Sequence, residues 1–212
     1  MIGVLGGSFD PVHFGHINPL IELSKLFKFD EIRLVPTYQS PINKSFYASA
    51  DHRFNMVSII ASSGANNFVA DDTEILKEGK SYMHETIKII KKQKKTDDIC
   101  LIMGLDVFLN IETWYNYLEI IQEVNIIVIN RPNFNIKKIK NMNSEILNKI
   151  VSDKTDFLKN NKKQIFFYDM PYIDISSTKI RDIIKRGDSL IGLVPGTIQS
   201  YIERNKLYVD IS

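Results

Sequence analysis

The stretch Ile2-Gly3-Val4-Leu5-Gly6-Gly7-Ser8-Phe9-Asp10-Pro11-Val12-His13-Phe14-Gly15-His16-Ile17 decides the fold. A short apolar run ends in turn residues, and helical spacing then follows over 17–27, the pattern of a buried strand feeding a helix. Paired glycines let the backbone approach a ligand closely. The helix behind them offers its N–H groups and positive dipole end to an anion. The stretch therefore outlines a phosphate site. It is neither a P-loop, which needs Gly-x-x-x-x-Gly-Lys-Ser/Thr, nor the Gly-x-Gly-x-x-Gly dinucleotide fingerprint.

Further apolar runs rich in Ile and Val lie at 31–36, 99–104, 125–130 and 165–168. Such runs suit strands buried on both faces of a parallel sheet. Helical spacing fills 51–62, 82–95, 114–121 and 144–158 between them. The alternation predicts an α/β fold, a doubly wound, mostly parallel sheet with helices on both faces. Near the C-terminus, Ser176-Ser177-Thr178 supplies N-cap residues, Ile180, Ile183 and Ile184 form a stripe, and Lys185-Arg186-Gly187 closes it, which predicts a helix over 178–186. Pro195 fits the first turn of a last helix ending near Arg204. One domain over 1–212 is expected, with the helical part from about 176 to 212 packed on it. The polar stretch 132–144 and the basic run 159–163 read as solvated surface.

With 212 residues, 44% of them hydrophobic, the chain can build a core without disulfide or metal staples. Its 27 basic and 25 acidic residues leave a formal charge of +2, which argues against nucleic acid and membrane surfaces as partners. A single cysteine, Cys100, excludes an intramolecular disulfide and a multi-cysteine zinc site, and its predicted strand makes it an inert core residue. The N-terminus lacks a signal-peptide pattern and no apolar run is long enough to span a bilayer, so the cytoplasm is the expected location. Self-association into a homo-oligomer is open.

His13 and His16 are two of four histidines, spaced three apart at the helix entrance. Both imidazoles can then reach one phosphate and donate N–H bonds to oxygens that gain charge in a transfer reaction. Local capping or packing is the plain alternative. Zinc binding is disfavoured, because no cysteine lies nearby and no His-Glu-x-x-His pattern occurs.

The segment from Gly6 to His16 resembles the nucleotidyltransferase signature Gly-x-Phe-Asp-Pro-x-His-x-Gly-His, and Ile175-Ser176-Ser177-Thr178-Lys179-Ile180-Arg181 resembles the second signature of that superfamily. Gly104-Leu105-Asp106 with Thr113-Trp114-Tyr115, Ser81-Tyr82, Asn130-Arg131-Pro132, Leu193-Val194-Pro195 and Asn205-Lys206-Leu207-Tyr208 narrow the resemblance to bacterial nicotinate-mononucleotide adenylyltransferases, over essentially the whole chain. The resemblance implies transfer of an adenylyl group from ATP to nicotinate mononucleotide, giving deamido-NAD and pyrophosphate in NAD biosynthesis, with Mg²⁺ carried on the ATP phosphates. It implies that the backbone of Gly6, Gly7, Ser8 and Phe9 cradles nucleotide, and that His13, His16 and Arg181 hold the reacting phosphates. Ser176, Ser177 and Thr178 would donate at the second helix N-terminus, with Gly104 and Asp106 also on ATP. Trp114 would stack on the pyridine ring, beside Tyr82 and Met83 near its carboxylate. The plain alternatives, read from the residues alone, are that Trp114 packs in the core, Asp106 caps a helix, Arg181 forms a surface salt bridge and the serines simply cap.

Two places depart from the family pattern. Where that pattern reads Pro-x-x-x-Pro-Pro-His-Lys, this chain has Pro36-Thr37-Tyr38-Gln39-Ser40-Pro41-Ile42-Asn43-Lys44, so a contact from the loop falls to Lys44 or is lost. Met83 stands where the pattern has Thr. Backbone recognition of the carboxylate tolerates that change; recognition through a hydroxyl does not, and nicotinamide mononucleotide then becomes an alternative acceptor. Pantetheine-phosphate adenylyltransferases share both signatures, and a non-catalytic nucleotide-binding module is the rival from a different class.

Overall fold

The computed structural model describes residues 1–42, 45–64, 67–130, 136–159, 163–170 and 174–209. The described strands are β1 (Ile2–Gly7), β2 (Glu31–Pro36), β3 (Phe68–Ala70), β4 (Ile99–Gly104), β5 (Asn125–Asn130), β6 (Ile150–Val151) and β7 (Ile165–Asp169). The described helices are α1 (Phe14–Leu26), α2 (Ala50–Ala61), α3 (Thr73–Lys77), α4 (Met83–Lys94), α5 (Leu105–Phe108), α6 (Tyr117–Glu123), α7 (Ser144–Leu147), α8 (Lys154–Lys159), α9 (Ser177–Arg186) and α10 (Gly196–Arg204). The strands hydrogen-bond in the order β3-β2-β1-β4-β5-β7-β6. That order reverses at β1, the mark of a doubly wound sheet.

The chain forms two compact units, Met1–Gly6 with Tyr82–Tyr172, and Gly7–Ser81 with Ile173–Ser212. In the first, parallel ladders put Val4 opposite Leu101, Leu101 opposite Ile126 and Ile126 opposite Ile165. All four side chains are buried. This is why the strands read as unbroken apolar runs rather than alternating ones. Cys100 is buried in β4, where loss of solvent pushes its thiol pKa far up, as an inert core cysteine requires. Helix α4 buries Ile87 and Ile90 and carries Lys91, Lys92 and Lys94 in its last turn, where cations offset the helix dipole.

In the second unit, Ile32 pairs with Phe68 and Leu34 with Ala70. Helix α1 buries Ile17, Leu20 and Leu23, and α2 buries Met56, Val57 and Ile60. Ser49 caps α2 by accepting the His52 amide. Helix α9 ends at Gly187, whose φ of 73° lies in the left-handed region where a side chain is strained.

The sequence reading needs correction at several boundaries. Helix α1 starts at Phe14, not at residue 17, which moves His16 into its first turn. The helix expected over 114–121 begins only at Tyr117, because Trp114 ends a 3₁₀ turn (Ile111–Thr113) and Asn116 is left-handed. The helix expected over 144–158 is two short helices around β6, where β-branched Ile150 and Val151 pair with Ile165 and Phe166. In the stretch read as solvated, residues 136–141 form a 3₁₀ helix in which Ile139 is buried. Among the described residues no helix is long and apolar enough to cross a membrane.

Candidate active site

The loop from β1 into α1 is fixed by its own backbone. The Gly7 carbonyl accepts the Thr37 amide at 2.9 Å, Phe9 adopts a φ of 47° and buries its ring, and the Asp10–Pro11 peptide is cis. Asp10 is buried, and its two carboxylate oxygens accept the amides of Tyr47 at 2.7 Å and Ala48 at 3.0 Å. His13 occupies the N-cap position of α1, with its carbonyl accepting the His16 amide at 2.8 Å. The two imidazoles stack with ring centroids 3.8 Å apart, and Phe9 packs edge-on against His16.

Helix α9 closes on this loop. Ser176 caps it by accepting the Lys179 amide, the Ser177 hydroxyl donates to the Pro11 carbonyl at 3.0 Å, and Arg181 donates to the Asp10 carbonyl at 2.6 Å and to the Thr178 hydroxyl at 3.2 Å. Among the described residues Arg181 thus makes no salt bridge; its guanidinium bonds to the loop. Gly15 lies between the two segments: a Cβ there would sit 2.8 Å from His13 Nδ1 and 3.1 Å from the Ile175 carbonyl oxygen. Neither α1 nor α9 has an acidic residue in its first turn, and Asp174, which precedes α9, is paired with Lys179.

His16 Nδ1 is buried and has no hydrogen-bond partner among the described residues. Burial lowers the pKa of this imidazole to about 4, so at neutral pH it holds one N–H donor instead of two. Tyr208 is buried near the Asp10 carboxylate, and both effects push its phenol pKa strongly upward.

Arg53, Tyr47 and Phe46 were not singled out in the sequence. Arg53 is 1% exposed and donates to the carbonyls of Ala48 at 3.2 Å, Ser8 at 3.0 Å and Tyr38 at 3.4 Å, while its guanidinium lies 4.1 Å from the centre of the Phe46 ring. Its signal was available: Arg53 shares the helical face of Met56, Val57 and Ile60, a charged residue at a core position.

The other unit holds the remaining candidates. A Cβ on Gly6 would meet the flexible tip of Met83 at Cε, and Met83 opens α4. Gly104, not Asp106, is the N-cap residue of α5, and its Cβ would lie 2.7 Å from Asp106 Oδ1. Asp106 is exposed in the first turn. Trp114 is half-buried rather than a core residue. Tyr82 packs on Tyr115, with centroids 5.0 Å apart. His84, which the sequence reading also missed, is buried and meets Glu119 at 2.8 Å, and together with Lys88 it holds the Glu119 carboxyl below its usual range. Lys44 lies outside the described residues.

Residues 4–183 match the cytidylyltransferase-like family model. The chain is 31% identical over 208 residues to a Methylococcus capsulatus protein named probable nicotinate-nucleotide adenylyltransferase, covering 98% of this chain and 99% of that one. It is 33% identical over 208 residues to a Dictyoglomus thermophilum protein of the same name, at 98% and 99% coverage. A solved structure of the Plasmodium falciparum nicotinic acid mononucleotide adenylyltransferase complexed with NaAD shares the fold, with a TM-score of 0.72 at 21% identity, over 98% of this chain and 96% of that one. The chain therefore belongs to the cytidylyltransferase-like family of nucleotidyltransferases and, within it, to the nicotinate-nucleotide adenylyltransferases.

Two outcomes follow from this geometry. Gly15→Ala is expected to displace the His13 ring or the Ile175 carbonyl and lower kcat/KM by about 10²-fold, the cost of misplacing a reacting group by roughly 1 Å; parent-level kinetics would contradict the close approach. His16 is held neutral, so its contribution to stability is complete above the unfolded pKa of 6.5 and is lost as pH falls toward the folded value of about 4. Denaturant unfolding of the parent should therefore lose stability over that window more steeply than His16→Gln, and equal slopes would count against a neutral, buried imidazole.

Proposed function

We propose that this enzyme transfers the adenylyl group of ATP to nicotinate mononucleotide, releasing pyrophosphate and deamido-NAD, and that it works in the cytoplasm as one nucleotidyltransferase domain. The observation that carries the reading is the stacked His13–His16 pair in the entrance and first turn of α1, joined to α9 through Ser177 and Arg181.

An oxygen of the acceptor 5′-phosphate attacks the α-phosphorus of ATP in line, and the bond to the pyrophosphate oxygen breaks with its electron pair leaving on pyrophosphate. The attacking phosphate is already ionised, so no base is required and no covalent intermediate forms. The protein's task is alignment and stabilisation of negative charge. The groups gathered here suit it: one N–H of neutral His16, the His13 ring, the Arg181 guanidinium, the hydroxyls of Ser176 and Thr178, the Ser177 amide at the start of α9 (its hydroxyl being spent on the Pro11 carbonyl), and the amides of Gly7, Ser8 and Phe9. Nitrogen and hydroxyl donors match phosphate oxygens, whereas Mg²⁺ prefers oxygen ligands and keeps much of its water. Both Asp10 oxygens already accept backbone amides, which supports Mg²⁺ arriving on the ATP phosphates as part of the substrate.

Gly104 and Asp106 are assigned to ATP. Gly6 is assigned to ATP with them, and Trp114, Tyr82, Met83 and Lys44 to the nicotinate nucleotide. Recognition of the nicotinate carboxylate through backbone amides, and not through a hydroxyl, makes Met83 tolerable there. Pyrophosphate release with MgATP should then favour nicotinate mononucleotide over nicotinamide mononucleotide by about 10²-fold or more in kcat/KM, because a site built for a carboxylate rejects the amide. Comparable rates would make the enzyme dual-specific, a rate only with phosphopantetheine would move it to that acceptor, and no release with any of the three would leave a binding module.

A further inference from the structure

Tyr47 is 66% exposed, yet it is pinned. Its amide donates to Asp10 at 2.7 Å, the next amide donates to the other Asp10 oxygen at 3.0 Å, and the rings and carbonyls on either side belong to Arg53 through Phe46 and Ala48. The ring so presented lies against Arg181, with the guanidinium carbon 4.2 Å from the ring centre. Arg181 is thereby fixed in two ways. Bonds to the Asp10 carbonyl and the Thr178 hydroxyl set the guanidinium in its plane, and the tyrosine ring covers one of its faces. Among the described residues those bonds use two of the five N–H groups that a guanidinium carries, and the others suit an anion.

We propose that Tyr47 is a positioning residue for adenylyl transfer: by stacking on Arg181 it holds the guanidinium ready for the phosphates before substrate arrives. A long, rotamer-rich side chain that is ordered in advance loses less freedom on binding, and cation–π contact with a tyrosine ring supplies the ordering without using any N–H. A phenylalanine supplies the same face. The proposal rests on Arg181 contacting the reacting phosphates.

The test is a double-mutant cycle on the full chain with MgATP and nicotinate mononucleotide, read by pyrophosphate release, with thermal midpoints checked in parallel. Tyr47→Ala keeps the backbone amide on Asp10 and should lower kcat/KM by about five- to thirtyfold with little change in midpoint, while Tyr47→Phe should stay within about twofold of the parent. In an Arg181→Ala background, Tyr47→Ala should cost nothing further. The same loss in both backgrounds, no loss from Tyr47→Ala, or an equal loss from Tyr47→Phe would each overturn the proposal. Parent activity in Arg181→Ala alone would instead overturn the phosphate role of Arg181, on which the proposal stands.

Discussion

One buried acid holds the loop between β1 and α1 in shape. The Asp10 side chain accepts two backbone amides from residues 47 and 48, and its carbonyl accepts Arg181. Hydrogen bonds to an ionised group are worth about 1.5–3 kcal/mol each, and a carboxylate stripped of them in a buried site pays its full desolvation cost. The loop, the segment behind it and the N-terminus of α9 are therefore coupled through a single residue. Arg53 extends the coupling: among the described residues it bonds to no carboxylate, and it donates to three carbonyls from three parts of the chain, so the cation acts as a cross-brace. Burial lowers its basicity, and the nearby Asp10 charge pulls it back toward the charged form.

The same economy of charge shapes the chemistry. His16 is kept neutral by burial, so in the proposed reaction the site would donate to phosphate oxygens without holding two adjacent imidazolium charges against each other at a ring separation of 3.8 Å. The permanent cation is Arg181, whose fork of donors complements phosphate better than a point charge would. The two helix N-termini, α1 and α9, add dipoles fixed by the fold.

Much of this was legible in the sequence, for physical reasons. The runs at 31–36, 99–104 and 125–130 are buried on both faces and end in turn residues, so their limits coincide with β2, β4 and β5. Strands β3 and β6 are too short to show a period. The start of α1 was misplaced because its N-cap residue is a histidine, which has no place among the usual capping side chains. The histidine pair and the Ser176–Thr178 cap carry their chemistry in residue type and spacing. Arg53 and Tyr47 do not: their partners are backbone carbonyls, amides and ring faces far away in the chain, and residue type alone cannot name such partners. Trp114 shows the converse, since its residue type suggests core while its position outside a helix leaves it half-buried.

The measurement that tests the account most directly is steady-state kinetics and thermal unfolding of Asp10→Asn. The substitution keeps shape but turns one acceptor into a donor facing a backbone amide, Tyr47 or Ala48. If this carboxylate organises the site, kcat/KM falls by about 10²-fold and the unfolding midpoint drops with it. A variant that loses stability while keeping the parent's kcat/KM would contradict the claim that catalysis depends on the geometry Asp10 holds.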